Sequence, residues 1–387
     1  MNSLTTLRPA RDALHYNDSA LAGETVSRPV PGLTLVAGTI GEAGPPSDTQ
    51  AELTPKRRVQ QFAAHCANFT GADVRRAVVQ ILNTGVPFAL LVAVMLTGVH
   101  FGYWPLLLLS IPAGGLLVRL FIIQHDCGHG SFLPSKTVND VLGVIISVLT
   151  LAPYAFWRRA HAYHHASSGH LGKRGIGDIN TLTVAEYERL SPLRKLQYRV
   201  YRHPLFLFGF GVPFYFTVLQ RLPFWQPYAA REIWRSVLGL NAMMVAFYGT
   251  LIWLIGAKTV LIVAVPVVFI ASAVGGWLFF VQHQFEETHW TKPPEWDFQV
   301  AAFMGSSYYV LPKWLQWLTG NIGLHHIHHL CSLIPNYKLQ ACLDANPELK
   351  SVNRITLLES FKCANLALWC ETRRRMVTFR DAQMATA

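Results

Sequence analysis

HAYHH at residues 161–165 places three imidazoles, His161, His164 and His165, within five residues. Two other five-residue stretches are built alike: HDCGH, with His125 and His129, and HHIHH, with His325, His326, His328 and His329. The HxxxH spacing puts His125 and His129 one helical turn apart on one face. In HxxHH the i, i+3, i+4 pattern puts His161, His164 and His165 on one face. The matching set in the third stretch is His325, His328 and His329, and His326 points elsewhere. Neutral imidazoles gathered in this way bind first-row transition metals well. One such pair alone is commonly a surface or capping feature, and a metal-buffering tract would be contiguous. Three helically spaced sets running from His125 to His329 fit neither description. A zinc site takes about four ligands, so these eight histidines are too many for one zinc and suit two metals. Iron changes oxidation state where zinc cannot. Two irons in an imidazole-rich, carboxylate-poor site suit activation of O₂ and attack on an unactivated C–H bond.

The elements that must hold these rings read as those of an integral membrane protein. Only 14% of the 387 residues are charged and 51% are hydrophobic, against about 25% charged in soluble domains. The net charge of +11 does not indicate nucleic acid, because the apolar runs are too long. Six cysteines without paired spacing read as reduced thiols, not as a disulfide framework. A spanning helix needs about 20 apolar residues. Four runs qualify: 77–99, 103–123, 236–256 and 259–281. The first two are separated by HFG and the last two by AK, so each pair reads as a hairpin. Two shorter runs, 141–156 and 205–220, carry Pro153 and Pro213 and suit interfacial segments better. Residues 1–55 lack the apolar core of a signal peptide and are expected to be disordered; 351–387 are expected to form a tail.

Charge orients the hairpins. All Lys and Arg but Arg119 and Lys258 fall in three regions that share one face if only the four long runs cross. Arg119 is expected to snorkel. The positive-inside rule makes the common face cytoplasmic, with Arg75, Arg76, Arg231 and Arg235 closest to helix ends. All three histidine sets then lie on that face, and the natural substrate of such a centre is a lipid acyl chain.

HDCGHGSF, WRRAHAYHHASSG, GDINTLTVAEY, FVQHQFEETHW and LPKWLQWLTGNIGLHHIHHLCSLIPNYKLQ together resemble the membrane-bound fatty acid desaturases, and most closely the acyl-lipid class of bacteria and plastids. The likeness runs from about residue 60 to 350, and 56–350 is taken as the desaturase domain. It implies an all-α integral membrane protein in which four transmembrane helices, in two hairpins, carry a cytoplasmic helical cap holding a histidine-rich di-iron centre. It implies that His125, His129, His161, His164, His165, His325, His328 and His329 are iron ligands. One more ligand is expected just after the fourth helix, where His283 is favoured over His289. His170 falls outside the HxxHH register and is read as a surface or supporting residue. Groups able to orient ligand rings through the second nitrogen are Asp126, Asp178, Asn180, Glu286, Asp297 and Asn321, with Asp178 and Asn321 preferred.

The implied reaction removes two vicinal hydrogens from an acyl chain with O₂ and two electrons, giving a cis double bond, with a Δ12 or ω-6 position favoured. Trp157, Phe208, Phe210, Phe214, Trp277 and Phe280 are expected to line an apolar tunnel. No nucleotide-binding, iron–sulfur or cytochrome b5-like signature is present in the sequence, so electrons must come from an external, ferredoxin-like donor. Two other readings are a related membrane hydroxylase or ketolase acting on alkanes or carotenoids, and a non-catalytic metal-handling membrane protein. The second predicts histidines inside the spanning runs, where only His100 comes near.

Overall fold

The computed structural model describes residues 54–175, 177–223 and 231–386. The expected N-terminal tail lies almost entirely outside them. Helix α1 (Pro55–Ala67) leads to α2 (Val74–His100), whose first turn is capped by the Asp73 carboxylate accepting from Arg76 N at 3.0 Å. A 3₁₀ turn, Trp104–Leu109, runs into α3 (Ser110–His129). Gly130, at φ 70, closes α3 in the left-handed conformation that a glycine adopts without steric cost. Next come α4 (Lys136–Thr150) and α5 (Tyr154–Ser167), bent by 101° at Leu151–Pro153. The apolar run 141–156 is therefore two helix pieces around a corner, not one segment.

A looped region follows, with α6 (Val184–Glu188), α7 (Pro192–Arg202), α8 (Pro204–Phe206), a π-helical turn at Leu207–Gly211 and α9 (Val212–Thr217). The apolar stretch 205–220 is this irregular stack of short helical pieces. Helices α10 (Arg231–Ile255) and α11 (Ala257–His283) are joined through Gly256. Beyond them lie α12 (Phe298–Met304), α13 (Lys313–Leu318), α14 (His325–Leu330), α15 (Asn336–Ala345), α16 (Leu357–Cys363) and α17 (Phe379–Thr386).

Among the described residues four helical stretches are long and apolar enough to cross a bilayer, Val74–His100, Trp104–His129, Arg231–Ile255 and Ala257–His283, and the bent pair α4–α5 adds a fifth if it is counted as one span. Most ends of the four run a few residues past the apolar stretches of the sequence, and three of them, α2, α3 and α11, finish on a histidine. The fold is mostly helical, but it is not purely so. Strands β1 (Leu182–Thr183), β4 (Leu368–Cys370) and β5 (Arg375–Val377) form one small sheet. Strands β2 (Tyr308–Val310) and β3 (Arg354–Thr356) form a parallel pair. Through β3, β4 and β5 the residues after 351 are woven into the body, and the expected tail is instead a structural part of it.

One apolar core joins α2, α3, α4 and α11 around Met95, Leu117, Ile123 and Val267. A second, around Phe280, Val281, Tyr309 and Ile322, lies beneath the histidines. Arg119 does not snorkel. It is buried in mid-α3, where its guanidinium donates to the Trp317 carbonyl and to Thr84 Oγ1 at 3.0 Å, and lies 4.2 Å over the Trp317 ring. A cation in that position is stabilised by its hydrogen bonds and the aromatic face.

Candidate metal centre

Four elements bring histidines to one place: the end of α3, the C-terminal half of α5, the last residue of α11 and the short α14. Their ring nitrogens fall into two groups, in each of which the potential ligand atoms lie within 4.8 Å of one another. One group is His125, His129, His161, His165 and His328; the other is His164, His283, His325 and His329. The two HxxHH stretches cross over. In α5 the i, i+4 pair His161 and His165 joins the first group while His164 reaches the second; in α14 the pair His325 and His329 joins the second while His328 reaches the first. The shared helix face is as the spacing implies, but the i+3 ring leans to the neighbouring group.

Within the first group His161 Nε2 lies 3.0 Å from His125 Nε2 and 3.1 Å from His129 Nε2, and His165 lies 3.2 Å from His328. Within the second, His164 Nε2 lies 3.1 Å from His283 Nε2, which is 2.9 Å from His325 Nε2. The outer nitrogens explain these approaches. His164 Nδ1 faces the Asp178 carboxylate, and His283 Nδ1 donates to the Gly305 carbonyl at 3.1 Å. Each ring then presents a bare Nε2 lone pair to the other. Two lone pairs about 3 Å apart repel unless a cation lies between them. Metal–nitrogen bonds of roughly 2.1 Å set at right angles span about 3.0 Å, and tetrahedral ones about 3.4 Å. The observed separations match the former. The donor set therefore fits two transition-metal ions.

Burial, helped by the neighbouring imidazoles, pushes His161, His165, His325, His328 and His329 well below the ordinary histidine pKa. This keeps the rings in the neutral, ligating form.

Asp126 and Asp178 both sit behind rings. Asp126 Oδ1 lies 2.9 Å from His125 Nδ1, and its Oδ2 accepts from Asn336 N at 2.6 Å and Asn336 Nδ2 at 2.8 Å. Asn336 Oδ1 in turn accepts from Gln80 Nε2 of α2 at 2.9 Å. The other expected supports do other work. Asn321, at φ 57, turns its amide to the Asn336 carbonyl and meets no imidazole. Asn180 bonds Tyr201 and Arg202 through its backbone, Glu286 pairs with Arg375, and Asp297 caps α12 and pairs with Lys56. His289 belongs to neither group, His170 accepts from Gly172 N in its own turn, and His326 donates to the Leu349 carbonyl.

Three supports gave no sequence signal that could be read alone. Gly305 supplies a carbonyl. Gly177, at φ 72, lets the Asp178 loop pass so close to α5 that a Cβ would sit 2.7 Å from the Ala160 carbonyl oxygen. Arg202, 3% exposed, donates to the Asn180 carbonyl, Thr181 Oγ1, Gln284 Oε1 and the Leu366 carbonyl. It thereby ties the Asp178 loop to the residue that follows His283.

A cavity of about 630 Å³ ends against His125, His161 and His325, a volume usual for a small-molecule site. Its walls are largely apolar. One side is the small-residue face of α11, Ala271, Ser272, Gly275 and Gly276, and another includes Phe210 and Phe214. Trp157 also lines it and stacks on His161 at 4.6 Å. Phe208, Trp277 and Phe280 do not. They pack on one another at 5.2–6.3 Å as part of the core under the histidines.

The fatty acid desaturase family model matches residues 101–351, which hold all nine grouped histidines. A fatty acid desaturase of Bacillus subtilis is 40% identical over 85% of this chain and 93% of its own length. An sn-1 acyl-lipid omega-3 desaturase (ferredoxin) of Synechocystis is 31% identical over 60% of this chain and 64% of its own. An sn-1 oleoyl-lipid 12-desaturase of Synechocystis is 25% identical over 59% and 65%. The chain thus spans just under two thirds of the two cyanobacterial proteins. The family match, and a relative similar over nearly its whole length, assign the chain to the fatty acid desaturase family, as an oxidoreductase that desaturates acyl chains.

Proposed function

We propose that this protein introduces a cis double bond into the acyl chains of membrane lipids at a pair of irons. In this reading His125, His129, His161, His165 and His328 hold one ion, and His164, His283, His325 and His329 hold the other. The supporting observation is the convergence of nine imidazoles, five and four, at the end of an apolar cavity. Five nitrogens in one group exceed the four of a tetrahedral zinc site, which favours iron. When bound, the irons supply the redox chemistry that activates O₂ toward an unactivated C–H bond. The overall change consumes O₂, two electrons and two protons, takes two vicinal hydrogens from the acyl chain, and releases two waters.

The chain's own residues do the placing. The α11 face from Ala271 to Gly276 leaves room for a linear hydrocarbon, and Phe210, Phe214 and Trp157 confine it. Asp126, Asp178 and the Gly305 carbonyl orient the rings through Nδ1. The distribution of Lys and Arg supports a cytoplasmic catalytic face on a four-helix, two-hairpin membrane body. A ferredoxin-like donor suits that basic face, and one relative carries ferredoxin in its name. A Δ12 or ω-6 position is favoured, in keeping with the oleoyl-lipid 12-desaturase relative.

Expression in a host lacking polyunsaturated lipids, followed by location of new double bonds by gas chromatography–mass spectrometry, tests this reading. The expected product is a Δ12 polyunsaturated acyl lipid, with about two irons per purified chain. Hydroxylated or unchanged lipids, or a metal-replete protein without iron, would refute it.

A further inference from the structure

Helix α7 turns its most apolar face away from the protein. Leu193, Leu196 and Val200 follow one another at i, i+3 and i+7, so they form one stripe. They are 64%, 58% and 46% exposed. The side facing inward carries Tyr198, whose hydroxyl donates to the Ala367 carbonyl at 2.7 Å, and the buried Arg202. A helix on the surface of a soluble protein does the reverse, with apolar residues in and cations out. Cations flank the outward stripe. Arg194, exposed and bonded to Gln197, lies on one edge and Arg199, exposed and donating to the Tyr187 hydroxyl at 2.7 Å, on the other, while Lys195 lies toward the inner side and pairs with Glu188 at 2.7 Å.

What covers the stripe follows from where it leads. Beyond α7 the exposed apolar surface continues through Leu205, at 79%, and Phe210, at 52%. That segment packs on α11, with Val212 against Gly276, and α11 is long and apolar enough to span a bilayer. An exposed apolar stripe edged by cations and continuous with a spanning helix has the chemistry of an interfacial helix. Anionic headgroups complement its two edge arginines.

We propose that α7 lies in the headgroup layer of an anionic membrane surface, with Leu193, Leu196 and Val200 sunk among the upper methylenes and Arg194 and Arg199 at the phosphates. The inner face of the same helix carries Arg202, which holds the Asp178 loop and Gln284. Seating α7 therefore ties the histidine site to the plane where lipid acyl chains begin. This rests on α11 crossing the membrane and not on the metal chemistry.

The test uses the full chain in vesicles of phosphatidylcholine with and without phosphatidylglycerol. Leu196→Cys and, as an exposed polar control, Gln340→Cys each carry a fluorophore. Five of the six native cysteines are buried, and labelling of the unsubstituted protein sets the background. Collisional quenching is read with aqueous iodide and with a headgroup-level nitroxide lipid. The label at 196 should be about threefold less accessible to iodide and threefold more to the nitroxide than at 340. The difference should grow when phosphatidylglycerol rises to about 30 mol %, and Arg194→Gln with Arg199→Gln should remove that growth. Equal iodide access at both positions overturns the proposal. Protection from both quenchers with a doubled mass in light scattering assigns the stripe to a second copy and also overturns it. Lipid quenching indifferent to phosphatidylglycerol overturns the anionic assignment. None of these readouts needs iron or turnover, so they stand or fall apart from the desaturase reading.

Discussion

The hydrogen-bonded support behind His125 in the five-imidazole group runs into long helices, whereas the support behind His164 and His283 in the four-imidazole group comes from loops. Behind His125 stands a chain of buried polar groups, Asp126, Asn336 and Gln80, that ends inside α2. Behind His164 stands Asp178 on an irregular loop, and behind His283 a backbone carbonyl at Gly305. The first group inherits its rigidity from helix packing. The second needs devices that fix a loop: Gly177 for close approach and Arg202 as a buried clamp. Damage to the loops should therefore empty one metal position before the other.

The largest effects should come from the two rings that cross between the groups. His164→Ala leaves three imidazoles in the smaller group, and His328→Ala leaves four in the larger. Both should abolish product by gas chromatography–mass spectrometry. Bound iron should differ: near one per chain for His164→Ala and nearer two for His328→Ala. Equal iron loss would break the comparison, and full activity in either variant would remove that residue from the ligand set.

Arg202→Met comes next. It strips partners from Thr181, Gln284 and two carbonyls, and hydrogen bonds to a charged group are worth about 1.5–3 kcal/mol each. With relaxation, a loss of roughly 3 kcal/mol in stability is expected, with iron falling toward one per chain. Arg202→Lys should recover part of both, because one ammonium cannot span the same acceptors. Thermal unfolding together with metal analysis reads both effects.

Smaller still is the contrast between the two carboxylates. Loss of a group that orients a ligand ring typically costs 10–100-fold in metal affinity. Asp178→Asn keeps the shape and loses the charge at one contact, so chelator competition should show roughly 10-fold weaker retention in the smaller group. Asp126→Asn also places an amide against the two N–H donors of Asn336, so its loss should lie nearer 100-fold. A reversed order would mean that the helix-backed group is not the more tightly specified one.

The short-range part of this architecture was legible because it is written in spacing. HxxxH and HxxHH reveal a helix face, and apolar runs reveal candidate spans. Spacing does not say which ion a ring on that face will meet, so the crossing of His164 and His328 could not be read. His283 came through family resemblance, because one histidine after an apolar run has no spacing to mark it. Asn321 was misread for a physical reason. It precedes His325 by one turn's worth of residues, but the backbone there is left-handed and not helical, so the side chain swings to Asn336. The Asp126–Asn336 pairing joins residues 210 apart, beyond any local pattern. The sharp corner between α4 and α5 hides in a run that reads as continuous until Leu151 adopts φ 58. Strands of two or three residues carry no usable periodicity.

Gln80→Leu should produce the smallest change, and it tests how far the support of the larger group extends. Gln80 is 3% exposed, and its Nε2 donates to Asn336 Oδ1 at 2.9 Å. Its Oε1 has no partner among the described residues, so removing the amide also removes an unsatisfied acceptor. The lost bond is worth about 1 kcal/mol, and the orphaned Asn336 oxygen costs a similar amount. The deleted acceptor offsets part of this, leaving a net loss near 1 kcal/mol. Asn336 keeps both of its bonds to Asp126 in the variant, so His125 should stay in place and iron should remain near two per chain. Gln80→Glu would instead aim a carboxylate at the same oxygen, and repulsion between two acceptors should push Asn336 against Asp126. If Gln80→Glu weakens metal retention while Gln80→Leu does not, the polar chain transmits position to the ring. If both leave iron and unfolding temperature unchanged, the support of His125 ends at Asn336, and the helix-backed group owes its rigidity to α3 and α15 alone.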